Sequence, residues 1–211
     1  MSERTEALLM HDLERLRAKG LYGASGDSFS MRVPGTDEFL LVTGGNEPPG
    51  RVHVETPPGQ PASLHARLYR DRPDAGALLL GRTDWSSALA TIPTPIPVLF
   101  DEQARHIGAI GAPIGANDAD GLRAAVSSGA NIAIVGEQRL CLGATPDRIV
   151  FNAELFEKCA TAWIIARSSG QRIHSLPRRV VTELGERLAK DQARAATSLA
   201  AGRIPEGMNA Y

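Results

Sequence analysis

Leu8, Leu9, Leu13 and Leu16 recur at helical spacing among charged neighbours, which predicts an amphipathic helix over residues 2–19. Ser2 or Thr5 can open that helix and Gly20 can end it. The pattern then changes period. In GLYGASGDSFSMRV, glycines at 20, 23 and 26 make a tight turn, and Phe29 and Met31 alternate with Ser28, Ser30 and Arg32 as in a strand. PGTDE (34–38) reads as a hairpin turn and FLLVT (39–43) as the returning strand. Residues 44–62 are rich in proline and glycine and read as a loop around one alternating segment, Arg51 to Glu55.

The second half is more apolar. SLHARLYRDRPD predicts a helix ending near Arg70, AGALLLGRT a buried strand, and DWSSALAT a helix with Asp84 as N-cap. IPVLF (96–100) fits another short strand. NIAIVGE and RLCLGA fit a strand pair. PDRIVFNAELFEKCATAWIIAR is a long helix whose apolar stripe runs through Ile149, Ala153, Phe156, Ala160, Trp163 and Ile164. A final helix from about Pro177 to Ala201 carries many Arg and Glu residues and leads into the tail IPEGMNAY. Strands early, then strands and helices mixed, predict an α/β protein. The expected architecture is a three-layer α/β/α sandwich with a mixed, mainly antiparallel sheet. One domain is expected over 1–211, with a C-terminal helix and tail at about 177–211.

Composition narrows the function classes. A net charge of −1 argues against a nucleic-acid surface, which needs clustered Lys and Arg, and gives no reason to expect a membrane partner. No apolar run approaches a membrane span, and charges occupy the N-terminus where a signal peptide would be apolar, so a cytoplasmic protein is expected. Two cysteines, Cys141 and Cys159, are too few for a disulfide framework.

HARLYRDRPDAGALLLGRTDWSSALA (65–90), GLYGASGDSFSMRV and NIAIVGEQRLCLGATPDRIVFNAELFEKCA stand in the order of three segments of the class II aldolase/adducin family. The chain resembles that family over most of its length. The resemblance implies the sandwich fold and a lyase ancestry of the fuculose-phosphate aldolase type. It also implies a divalent metal, usually zinc, held by an H-x-H pair and a third histidine, with a glutamate as acid/base. Aligned on Pro73-Asp74, the H-x-H positions are Leu80 and Arg82; the third histidine falls at or near Glu137, and the glutamate at Pro61. None of His11, His53, His65, His106 and His174 has a partner at metal-ligand spacing. No metal cofactor is therefore expected. The family's substrate-phosphate turn corresponds to Ser25, Gly26, Thr43 and Gly44, with Asp27 where asparagine is usual.

Several readings stay open at these positions. Arg82 and Glu137 can form a salt bridge that replaces the metal cross-link, or Arg82, with Arg139, can bind an anion. Asp27, Arg82, Asp84, Glu137 and Tyr211 are the catalytic candidates if chemistry has been relocated. Trp85 can line a pocket or pack at a subunit contact, and His65 is expected to have a packing role. The leading expectation is a metal-free pseudoenzyme with a structural or regulatory role. The alternatives are a lyase or decarboxylase acting on a small carboxylated or phosphorylated substrate, and a small-anion binding module. By resemblance, a homotetramer is expected, with Tyr211 covering a neighbour's cleft, or a mixed oligomer with an active paralogue.

Overall fold

The strand alternation read above becomes a six-stranded sheet in the computed structural model, which describes residues 2–44, 46–57 and 62–206. The strands are β1 (Ser28–Arg32), β2 (Glu38–Thr43), β3 (Asn46–His53), β4 (Ala77–Arg82), β5 (Ile132–Val135) and β6 (Gln138–Gly143), in the order β3-β2-β1-β4-β6-β5. Every neighbouring pair is antiparallel. Among the described residues the one parallel element is an isolated bridge from Ile114 to Val135 beside the β5 edge.

The helices are α1 (Ser2–Ala18), α2 (Ser63–Asp71), α3 (Asp84–Ala90), α4 (Ala119–Ser127), α5 (Pro146–Ser168) and α6 (Arg178–Ala200). Period-two alternation sorts the strand side chains onto two faces. Phe29, Met31, Leu40, Val42, Leu79 and Cys141 meet α1 and α5 through Leu9, Leu13, Leu16, Ile149, Ala153 and Phe156. Phe39, Leu41, Leu78, Leu140 and Leu142 meet α2 and α4 through Ala66, Leu68, Tyr69, Leu122 and Val126. This is the α/β/α sandwich. Among the described residues no helix is long and apolar enough to cross a membrane.

Four local readings change. Residues 46–53, read mostly as loop, form a strand; it lies at the sheet edge, where Pro48 and Pro49 can sit without removing a donor from a second ladder. IPVLF is not a strand: only Ile96 forms a bridge, to Ile110, and a short π-helical turn (Gln103–Ile107) follows. The N-cap of α3 is Thr83 rather than Asp84. Its side chain accepts from Ser86 N, and Ser86 Oγ accepts from Thr83 N, leaving Asp84 as the first helical residue. Helix α4, which the sequence pattern did not announce, starts from Asp118, whose carboxylate accepts from Gly121 N.

Helix α5 begins where expected, with Thr145 as N-cap and Pro146 in its first turn. Helix α6 buries only Leu188, Asp191 and Ala195. Asp191 pairs there with Arg105 and Arg194, while Gln192 donates to Gly129 O (2.7 Å), tying α6 to the α4–β5 connection.

Candidate functional site

The turn between α1 and β1 is organised by Asp27. Its Oδ2 accepts from Gly23 N and Ala24 N (both 2.9 Å), and its Oδ1 accepts from Arg82 N (2.9 Å). A turn that winds its N–H groups inward in this way can cradle an anion; here the chain supplies the anion from its own side chain. Gly23 and Gly26 take positive φ (142° and 89°), which lets the backbone close around the carboxylate. Ser25 and Gly26 are exposed at the tip. Gly44 N donates to Asp27 O (2.8 Å), and Thr43 pairs with Ser28 across the β1–β2 ladder. Asp27, Ser25, Gly26, Thr43 and Gly44 thus gather at one end of the sheet. The Asp27 carboxylate is buried and has both oxygens engaged, so a role for it as a free base is corrected to one as a backbone clamp.

Arg82 and Glu137 meet at the same end. Arg82 Nη1 lies 3.4 Å from Glu137 Oε2, bridging the end of β4 and the β5–β6 turn. Both side chains are more than half exposed (51% and 59%), so the pair is a solvated rim contact and not the buried cross-link expected. The donor set does not fit a divalent metal. Leu80 has no donor atom, Arg82 is a cation, and among the described residues no group of three His, Cys, Asp or Glu is placed to hold an ion. Pro61 and Tyr211 lie outside the described residues.

His65 sits in the α2 layer close to this end. Ser28 Oγ is 2.7 Å from Nε2, Ser30 Oγ is 2.7 Å from Nδ1, and the Ser30 hydroxyl is 2.8 Å from that of Tyr69. Burial pushes the His65 imidazole down to about 4 and the Tyr69 hydroxyl up. A neutral imidazole satisfying two buried serines is a packing device.

Arg139 is the largest departure. Expected beside Arg82 as an anion contact, it points to the α1/α5 face and is fully buried. Its Nη1 donates to Glu157 Oε1 (2.9 Å) and its Nη2 to Leu21 O (2.6 Å). Glu137 lies in the β5–β6 turn, outside the strand, whereas Arg139 takes the buried register of β6, so proximity along the chain did not imply proximity in the site. Gly81 lies opposite Arg139 in the ladder, and a Cβ there would make only ordinary contacts, 3.4 Å from Leu21 O and 3.8 Å from Arg139 Nη2.

Glu157 was missed. It accepts from Arg139 and also from Thr83 Oγ1 (2.9 Å), and it lines an open cleft of about 660 Å³ with Arg82, Asp84, Trp85, Lys19 and Glu154. Burial pushes its carboxyl above the usual range, Arg139 and the hydrogen bonds pull it back, and Asp84 pushes it further up. A signal existed. Glu157 falls on the apolar stripe of α5 between Ala153 and Ala160, and Arg139 shares the buried register of Cys141. Two opposite charges at core positions of facing elements announce a pair. Trp85 is half-buried, packing against the α1/α5 core while also lining the cleft. Both cysteines are buried, and burial pushes the Cys141 thiol up to about 11, far from a reactive thiolate.

No protein-family model matches the chain, and no curated protein matches it. Solved structures do. An L-fuculose 1-phosphate aldolase superposes with a TM-score of 0.71 at 16% identity, covering 90% of this chain and 97% of its own. An aldolase II superfamily protein from Pseudomonas syringae gives 0.67 at 19% identity, over 94% and 91%. The l-fuculose-1-phosphate aldolase of Thermus thermophilus gives 0.61 at 20% identity, over 82% and 100%. The chain has the class II aldolase fold. At such identities the likeness speaks for the fold alone, and the class II aldolase fold is here built around a sheet end that carries an Arg82–Glu137 contact, a clamped Asp27 and an open cleft on the α5 side.

Proposed function

We propose that this protein is a metal-free member of the class II aldolase fold that does not perform metal-dependent aldol cleavage and has a structural or regulatory role. The observation that carries the reading is the side-chain set at the end of β4: Leu80 and an Arg82–Glu137 ion pair stand where the resemblance puts metal ligands. A guanidinium there repels a divalent ion, and a leucine offers it nothing. Of the carboxylates the lyase reading could use, Asp27 has both oxygens engaged by backbone N–H groups and Glu137 is paired with Arg82, which leaves exposed Asp84 as its remaining candidate base. The test is elemental analysis of untagged protein, with its native mass, and an aldol-cleavage assay on L-fuculose 1-phosphate with and without added zinc. Traces of metal only, and no zinc-dependent cleavage, are the expected result. Near-stoichiometric zinc, manganese, iron or cobalt, or cleavage that a chelator abolishes, would overturn the reading.

One observation favours a second reading, a small-anion binding module. The Arg82–Glu137 contact is long and solvated, so an incoming phosphate can take Glu137's place at little cost and gain a bidentate partner. Saturable binding of inorganic phosphate that Arg82→Gln abolishes would put that reading first.

A further inference from the structure

The open cleft on the α5 side is bounded by the α1–β1 turn, the start of α3 and the middle of α5. Its floor belongs to the face opposite Leu80: Leu80 packs with the α2 layer, while Thr83 turns to α5 and holds Glu157. The cleft's volume of about 660 Å³ is within the range of small-molecule sites.

Its charges are arranged unevenly. Lys19 Nζ is 2.6 Å from Glu154, and Arg139 Nη1 is 2.9 Å from Glu157. Both cations are paired, although Arg139 Nε has no hydrogen-bond partner among the described residues. Asp84, at the mouth, has no hydrogen-bond or ion-pair partner among the described residues, although it is close enough to Glu157 to push that carboxyl up. Only Oε1 of Glu157 receives hydrogen bonds among the described residues, leaving Oε2 as an acceptor. Negative charge on one wall is therefore uncompensated, and Trp85 stands beside it. Arg82 also lines the cleft, and among the described residues only Nη1 of its guanidinium is engaged, in the 3.4 Å contact with Glu137. The other guanidinium N–H groups can take a carboxylate.

We propose that this cleft binds a small zwitterion of the amino-acid class, its ammonium held by Asp84 and Glu157 beside the Trp85 indole and its carboxylate by Arg82. A divalent metal is the poorer occupant. Among the described residues no three of the cleft's carboxylates are grouped to hold an ion, Glu154 is paired with Lys19, and Arg82 repels a cation. An ammonium brings three donors to the acceptors present and gains from the aromatic face. A purely anionic ligand would meet Asp84, Glu154 and Glu157, and a purely cationic one would leave the Arg82 donors unused.

The proposal shares Arg82 with the metal-free reading, but the two fail separately: elemental analysis tests the metal, and ligand titration tests the cleft. The test is calorimetric titration of the full chain with 4-aminobutyrate, butylamine, butyrate and inorganic phosphate, on wild type, Asp84→Asn and Arg82→Gln. Both substituted side chains are exposed, and melting temperatures close to that of wild type establish that the variants are folded. Expected is saturable 4-aminobutyrate binding at least roughly tenfold tighter than either one-ended probe. Asp84→Asn lowers it to the butyrate level and Arg82→Gln to the butylamine level. No saturation with 4-aminobutyrate, equal binding of a one-ended probe, or binding indifferent to both substitutions would overturn the proposal. Phosphate binding with no response to 4-aminobutyrate would do so too, and would leave the anion-module reading standing.

Discussion

The two faces of the sheet bury polar groups by opposite means. Towards α2, a neutral chain runs from Ser28 through His65 and Ser30 to Tyr69, with every link between 2.7 and 2.8 Å. Towards α5, an ion pair takes that place, buried Arg139 with the partly exposed Glu157 at the cleft, reinforced by Thr83 and by the Leu21 carbonyl. Between them, at the rim, Arg82 and Glu137 form a third contact that water screens. The contrast locates the polar groups that constrain this fold. The neutral chain avoids the desolvation penalty of a charge but becomes sensitive to acid. The ion pair leaves a marked defect if one partner is lost. The rim pair is free to change partners.

The largest effect is expected from breaking the buried pair on one side. Arg139→Met should destabilise the protein by about 3 kcal/mol in urea unfolding, because the Glu157 carboxylate loses its partner. Replacing both residues by methionine should recover most of that loss. A single variant as stable as wild type would show that the pair contributes little.

The next effect probes the neutral chain. The folded pKa of His65, about 4, lies below the ordinary value of 6.5, so between these values the unfolded state binds more protons. The stability this histidine contributes is present above pH 6.5 and is lost as pH falls towards 4. Urea unfolding near neutral pH and at about pH 4.5 should therefore differ by roughly 2 kcal/mol from this group. His65→Asn should flatten that part of the pH slope, and an unchanged slope would count against the assignment.

The smallest effect belongs to the rim. Arg82→Gln should change stability by less than about 0.5 kcal/mol, as exposed pairs generally do. A cost comparable to that of Arg139→Met would mean that the Arg82–Glu137 contact ties β4 to the β5–β6 turn after all.

Much of the fold was legible because periodicity reports burial directly. The helix over residues 2–18, the alternation in β1 and β2, the apolar run of β4 and the Thr-Pro start of α5 all match local chemistry to local structure. What escaped notice was local structure set by context. The prolines of β3 are compatible with a strand only because that strand lies at an edge, and the edge position is a property of the sheet order. Arg82 and Glu137 could be brought together by aligning segments, since Arg82 ends one strand and Glu137 immediately precedes its ladder partner. Glu157 could be singled out by its place on the apolar stripe of α5, but its partners could not. It is distant in sequence from Arg139 and Thr83, and only the docking of α5 on the sheet joins them.

Spacing and side-chain donor chemistry, both readable along the chain, were enough to place most of the helices and strands and the side of each that seeks the core, though not β3 or α4. That the five histidines lack metal-ligand spacing was likewise readable along the chain. Three-dimensional packing was needed to decide that Asp27 closes its own turn, that Arg139 faces away from Arg82, and that a cleft lined by Glu157 opens on the α5 side. Each depends on the face to which a strand turns and the helix that covers it, and burial makes those choices jointly for residues far apart along the chain.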